Sequence, residues 1–231
     1  MREIVFDTET TGLDPLQGDR LVEIGCIELL NRFPTGKTFH CYFNPERDMP
    51  EPAFKIHGLS SEFLKDKPLF AHQVDALIAF FGDAQLIAHN AMFDLGFLNA
   101  ELERAGRGAV SRERIIDTLL LARRKHPGGA NRLDDLCVRY AIDNSRRTKH
   151  GALLDAELLA EVYVELTGAR QAQLILAQAA TPERAAGAPI VVRERPAPLM
   201  ARLTDEARAA HRRFVTSLGD SAIWRDYVNL D

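Results

Sequence analysis

Cysteine is scarce in this sequence: three residues, Cys26, Cys41 and Cys137, stand far apart, and none belongs to a CxxC pair. An odd number at such spacing argues against a disulfide framework and a cysteine-built zinc site, and fits buried thiols in a reducing compartment. Long apolar runs are also missing, so no stretch is suited to span a bilayer. The strand-like EIVFD begins almost at the first residue and leaves no room for a charged leader, so a soluble, cytoplasmic protein is expected. Finally, there is no surplus of positive charge: the formal net charge is −4. A nucleic-acid ligand would therefore displace few counterions, and any grip on DNA or RNA must be confined to an end or supplied by another protein.

What remains is ordinary globular material, 46% apolar and 27% charged over 231 residues, enough for one full domain and an appendage. EIVFDTE, RLVEIGCIELL and TFHCYFNP read as three strands of a meander joined by the turns TTGLDPLQGD and FPTGK. A loop with Pro45, Pro50 and Pro52 follows, and Ser60 or Ser61 is placed to cap a helix. The spacing of Phe70, Val74, Leu77, Ile78 and Phe81 predicts a helix over 70–81. Short strands at QLIAH and RIIDT then alternate with helical patterns in MFDLGFLNAELER, LLLARRK, LDDLCVRYAI and LLDAELLAEVYVEL. Strands first, then helices alternating with strands, predict an α/β fold with a mixed sheet flanked by helices over residues 1–168. Residues 169–198, rich in Ala, Gln, Arg and Pro, read as a flexible linker. Apolar residues return from Leu199 to Trp224, too few for a core, so residues 199–231 are expected to dock on a partner.

Four acids and a histidine carry the chemistry. Asp7 and Glu9 are two apart in a strand and so point to one face, where two anions repel unless a cation lies between them. Asp94 opens a helix just after the strand ending at Ala88–His89. His150 and Asp155 are five apart, which on one continuous helix would separate them; Gly151 allows the histidine to stay on the loop while the aspartate projects from the first turn. Converging carboxylates suit a pair of magnesium or manganese ions rather than zinc, and an imidazole can take a proton from an attacking water at neutral pH. Asp117 is read as the cap of the helix after RIIDT. Arg146, Arg147 and Lys149 are either phosphate-attracting groups or a solvated basic loop.

DTETTG, HNAMFD and HGALLDAELLAEVY resemble the three motifs of the exonuclease superfamily that carries four acidic residues and a histidine. NRLDDLCVRYAIDNSRRTKHGALLDA narrows the resemblance to the epsilon proofreading subunits of bacterial DNA polymerase III. The resemblance implies a ribonuclease H-like fold and removal of mismatched nucleotides from DNA 3′ ends as nucleoside monophosphates. It implies that Asp7, Glu9, Asp94 and Asp155 hold two divalent ions, Mg2+ or Mn2+, and that His150 is the general base. Thr10, Gly12 and Leu13 would meet the terminal nucleotide, with His57, Asn90 and Phe93 lining the same pocket. Some relatives have an acidic residue where this chain has Pro52, beside Glu51, so a contact from that loop is left open. The resemblance also implies a polymerase catalytic subunit bound through the C-terminal segment, with a sliding clamp and a small accessory subunit as further partners. QAQLIL, with Gln171, Leu174 and Leu176, is similar to clamp-binding peptides, or else is a helix end fading into linker. An RNA-trimming enzyme of the same superfamily and a catalytically silent adaptor are the alternative readings.

Overall fold

The structure is a computed structural model that describes residues 1–168 and 204–219. The expected linker with Gln171, Leu174 and Leu176, and the tail residues Leu199, Leu203 and Trp224, lie outside the described residues. The chain divides into two compact units, Met1–Leu174 and Ile175–Asp231.

The first unit is built on a five-stranded sheet. Strands β1 (Arg2–Thr10), β2 (Leu21–Leu30) and β3 (Phe33–Tyr42) form the expected antiparallel meander, while β4 (Gln85–Ala88) runs parallel to β1 and β5 (Ile115–Asp117) parallel to β4. The spatial order is β3-β2-β1-β4-β5. The carboxyl ends of the three parallel strands therefore open on one edge, where open α/β sheets collect their ligands.

Seven helices of this unit cover the sheet: α1 (Glu51–His57), α2 (Ser61–Lys65), α3 (Phe70–Phe81), α4 (Met92–Arg104), α5 (Thr118–Lys125), α6 (Leu133–Tyr140) and α7 (Ala152–Leu166). The period-two alternation of β1 sorts them into two cores. Ile4 and Phe6 pack with α3 and α4 through Val74, Leu77, Phe81, Phe97 and Leu98. Val5 packs on the other side with α6 and α7 through Leu136, Cys137, Leu158, Leu159 and Val162. Full burial of these chains is what holds the layers; truncating one such Leu to Ala costs about 2–5 kcal/mol. Cys26 and Cys137 are buried free thiols and Cys41 is a partly buried one.

One helix departs from the sequence expectation. The proline-rich stretch that reads as a loop forms α1, with Pro50 as its N-cap and a proline in its first turn. Proline is well tolerated there because the amide it lacks has no intrahelical acceptor in any case. Gly58 ends this helix in the left-handed region, at φ 77°.

The long helix α7 is set against the sheet by contacts at both ends. Near its C-terminal end the Tyr163 hydroxyl donates to buried Glu3 on β1 at 2.8 Å, and the Arg32 guanidinium lies over the Tyr163 ring at 4.6 Å. Near its start, Gly25 of β2 sits against the helix backbone: a Cβ at Gly25 would lie 2.3 Å from Leu153 Cα. Only glycine permits that approach.

In the second unit, α8 (Asp205–Ser217) is capped by the Thr204 hydroxyl, which accepts the Ala207 amide at 3.2 Å. No helix among the described residues is long and apolar enough to cross a membrane.

Candidate active site

Asp7 and Glu9 lie on the β1 face that packs on α7, as their even separation requires. Asp7 pairs across the ladder with Gly25, and Gly25 is where the first turn of α7 descends. The missing side chain at Gly25 thus brings Asp155, in that first turn, toward Asp7 and Glu9. Gly151 is the N-cap of α7, which leaves His150 on the preceding loop and Asp155 on the helix. Ligand atoms of Glu9, His150 and Asp155 all lie within 4.8 Å of one another.

Asp94 reaches the cluster from the opposite side. It is buried in the first turn of α4, and its Oδ1 accepts a hydrogen bond from the Thr8 hydroxyl at 2.7 Å. The strand–helix corner before it is tight. Asn90 adopts φ 63°, a left-handed conformation that Asn tolerates better than most residues, and its amide donates to Asp117 Oδ1 at 3.2 Å. Asp117 also caps α5, accepting the Leu119 amide at 2.9 Å, so it acts in the structure as a cap.

Crowding these acids has an electrostatic cost. Burial, then the neighbouring Asp94, Glu9 and Asp155, push Asp7 far above the usual carboxylate range. Burial, then Glu23 and the other site acids, raise Glu9 to about 8. Burial raises Asp94 to about 7 against the opposing pull of the Thr8 hydroxyl. Asp155 is the exception: burial works to raise it, but hydrogen bonds from Arg147 and His150 prevail and it is lowered. A group of buried oxygens that strongly disfavours its own charge fits a divalent cation, which would remove the repulsion. The carboxylate oxygens and the imidazole are donors that a divalent cation accepts.

Two cavities meet at Asp7, His89 and His150. One, of about 550 Å³, is mostly apolar and is lined by Thr10, Gly12, Leu13, Pro52, Ile56, His57 and Phe93. Leu13 projects at its mouth, 82% exposed. The other, of about 940 Å³, is more polar and carries Asn90, Arg123, Asn131 and Arg132. Asn90 therefore lines the second cavity rather than sharing a pocket with His57 and Phe93, while Pro52, not Glu51, faces the first. His57 is buried, and its Nδ1 accepts the Leu59 amide at 3.0 Å, which leaves the ring proton on Nε2 beside the Thr10 backbone.

The basic residues before His150 fit neither sequence reading as a group. Arg146 is largely exposed and Lys149 lies over the Phe54 ring, but Arg147 is only 8% exposed and forms a two-pronged pair with Asp155. Thr8, Gly25 and Arg147 are the site residues whose roles the motifs did not announce.

A mixed sheet that gathers these acids beside the ends of its parallel strands defines a metal-dependent nuclease. The comparisons agree. The family profile described as Exonuclease matches residues 4–163. The DNA polymerase III subunit epsilon of Escherichia coli K12 is 41% identical over 236 residues, covering 97% of both chains. The subunit of the same name from Rickettsia felis is 58% identical over 174 residues, covering 74% of this chain and 76% of its own. The chain belongs to the epsilon subunit family of DNA polymerase III. In fold it is similar to the nuclease domain of 3′hExo, a DEDDh family member bound to rAMP, with TM-score 0.63 at 16% identity over 73% of this chain and 92% of that one. It is equally similar to the zinc-bound E. coli ExoI–ssDNA complex, with TM-score 0.63 at 20% identity, although it spans 74% of this chain and only 41% of that one.

Proposed function

We propose that this protein proofreads DNA by removing the 3′-terminal nucleotide, with Asp7, Glu9, Asp94 and Asp155 holding two divalent ions, Mg2+ or Mn2+, and His150 acting as general base. The observation that carries the reading is the gathering of four carboxylates from β1, α4 and α7, three of them raised above the usual range, chiefly by burial. Bound ions would supply Lewis-acid polarisation of the phosphodiester and neutralise the charge that develops on it.

The protein's own residues do the rest. The apolar cavity seats the terminal nucleoside, with Phe93 and Leu13 against the base and sugar and Thr10, Gly12 and His57 around its end. The turn that presents Leu13 is held by the Thr10 hydroxyl, which donates to the Gly12 carbonyl at 2.6 Å. His150, half exposed beside Asp155, takes the proton of a water that attacks the terminal phosphorus. The bond from phosphorus to the 3′ oxygen of the preceding nucleotide breaks, that oxygen leaves with a proton from solvent, and a nucleoside 5′-monophosphate departs.

A mismatched 3′ end unpairs at lower cost and so reaches the cavity more often. Excision from matched and mismatched primers, with and without Mg2+, on the native chain and on His150→Ala tests the reading. Faster, Mg2+-dependent trimming of the mismatch that collapses in the variant is expected; equal trimming of both ends where melting limits the rate would sink it.

The low positive charge is compensated by tethering, which raises the local concentration of DNA ends without basic contacts. Residues 199–231, which include α8, dock on the polymerase catalytic subunit in this reading. Gln171, Leu174 and Leu176 engage the sliding clamp, and a small accessory subunit completes the assembly.

A further inference from the structure

The least expected side chain in the site is Arg147. Its Nε donates to Asp155 Oδ1 at 2.6 Å and its Nη2 to Asp155 Oδ2 at 2.7 Å, so both carboxylate oxygens are capped. The same Nη2 lies 2.8 Å from His150 Nδ1. The third nitrogen, Nη1, is 2.7 Å from Asp134 Oδ2, on a carboxylate that is 55% exposed at the start of α6.

These contacts have two consequences. The guanidinium holds the ring as well as the carboxylate: its Nη2 is also 3.4 Å from His150 Nε2, while His150 Nδ1 lies 3.3 Å from Asp155 Oδ2, so the three side chains form one cluster. Asp155, in turn, holds a full positive charge in a nearly closed environment, since Arg147 is 8% and Asp155 3% exposed. A second cation on the same carboxylate would meet poorly screened repulsion. The groups assigned to hold metal and to take the proton are thus both occupied by one side chain, which already has a grip on a third, more exposed partner.

We propose that Arg147 is a positioning residue: it stands in for the cation in the metal-free protein, holding Asp155 and His150, and retreats to Asp134 when a divalent ion takes Asp155. Metal occupancy and release of His150 from the guanidinium are then one event. The loop that carries Arg147 folds back on itself in a short turn, in which the Arg147 amide donates to the Asn144 carbonyl at 2.9 Å. Asn144 also steadies the receiving end, its Nδ2 donating to Asp134 Oδ1 at 3.2 Å. This inference rests on the reading of Asp155 as a metal ligand and His150 as the base.

The test is made on the full chain carrying 15N-labelled arginine, titrated with Mg2+, with the Arg147 side chain assigned by Arg147→Lys. The Arg147 Nε–H is expected to be protected from solvent exchange without metal and to lose that protection as Mg2+ saturates. In Arg147→Gln, Mn2+ should bind roughly 5-fold or more tightly, because a competing cation has been removed. The same variant should melt lower than the native chain without metal, with the gap closing at saturating Mg2+. An Nε–H that stays protected and unshifted at saturation overturns the proposal, as does Mn2+ affinity that is unchanged or weaker in Arg147→Gln. If Mn2+ affinity is instead indifferent to Asp155→Asn, the metal-ligand reading itself fails, and the proposal falls with it.

Discussion

The Thr8 hydroxyl and Asp94 Oδ1, 2.7 Å apart, tie β1 to α4 on one side of the sheet, while Asp7 and Glu9 on either side of Thr8 face α7 on the other. Both partners are buried, so the bond is shielded from water and orients a carboxylate that would otherwise be free to turn. Thr8→Val keeps the shape and removes the donor. Mn2+ affinity and excision rate are expected to fall roughly 10- to 100-fold, as for other losses of a partner that orients a metal ligand. Isothermal titration beside a gel-based excision assay would check this, and unchanged affinity would count against the role of Asp94.

Gly25→Ala places a methyl group where the α7 backbone already is, 2.3 Å from Leu153 Cα. Either the strand or the first turn of α7 must move, at about 1–3 kcal/mol. The same movement carries Asp155 away from Asp7, so activity should fall by more than the folded fraction does. Urea denaturation and excision measured on one preparation separate the two effects.

Protonation of the site gives a pH signature. Glu9 rises from the usual 4.5 to about 8, and Asp94 from 3.8 to about 7. A folded-state value above the unfolded one means that the native chain holds protons the unfolded chain has released, so stability is full below the unfolded values and declines as pH rises through the folded ones. Asp155, shifted the other way, acts only at acid pH below its usual 3.8. The metal-free protein should therefore melt progressively lower from about pH 5 to about pH 8, with saturating Mg2+ reducing the decline. Scanning calorimetry across that range, with chelator and with Mg2+, reads both trends; a flat metal-free profile would contradict the raised acids.

Leu13 is 82% exposed and supports no core. Leu13→Ala should leave unfolding free energy within about 0.5 kcal/mol, yet raise KM for a DNA 3′ end by removing the apolar wall of the nucleoside cavity. A variant with unchanged KM would show that the terminal base lies elsewhere.

Much of this fold was legible because its signals are local. The meander strands, the helix over 70–81 and the Asp117 cap follow from alternation, helical period and a well-placed acid before a helix. The facing of Asp7 and Glu9, and the break at Gly151 between His150 and Asp155, followed from geometry alone. What could not be read depends on contacts between residues distant in sequence. Thr8 looks like any strand threonine until α4 packs beneath it, 86 residues on. Gly25 reads as a weak spot in a strand until α7 is laid over it. Arg147 reads as a loop cation because nothing local says that Asp155 and Asp134 will close around it. Helix α1 was hidden for a different reason, since prolines that usually signal loops here occupy a helix start.

The division of labour along β1 has a consequence for how such a protein can change over generations. Its nine residues alternate between two covered faces, with Ile4, Phe6 and Thr8 directed at α3 and α4 and Val5, Asp7 and Glu9 at the α7 side. Insertion or loss of a single residue inside this strand would swap the two sets at once, turning apolar chains toward the site and driving the acids into the α3–α4 core. Length variation is therefore expected to accumulate in the connecting turns and to spare this strand entirely.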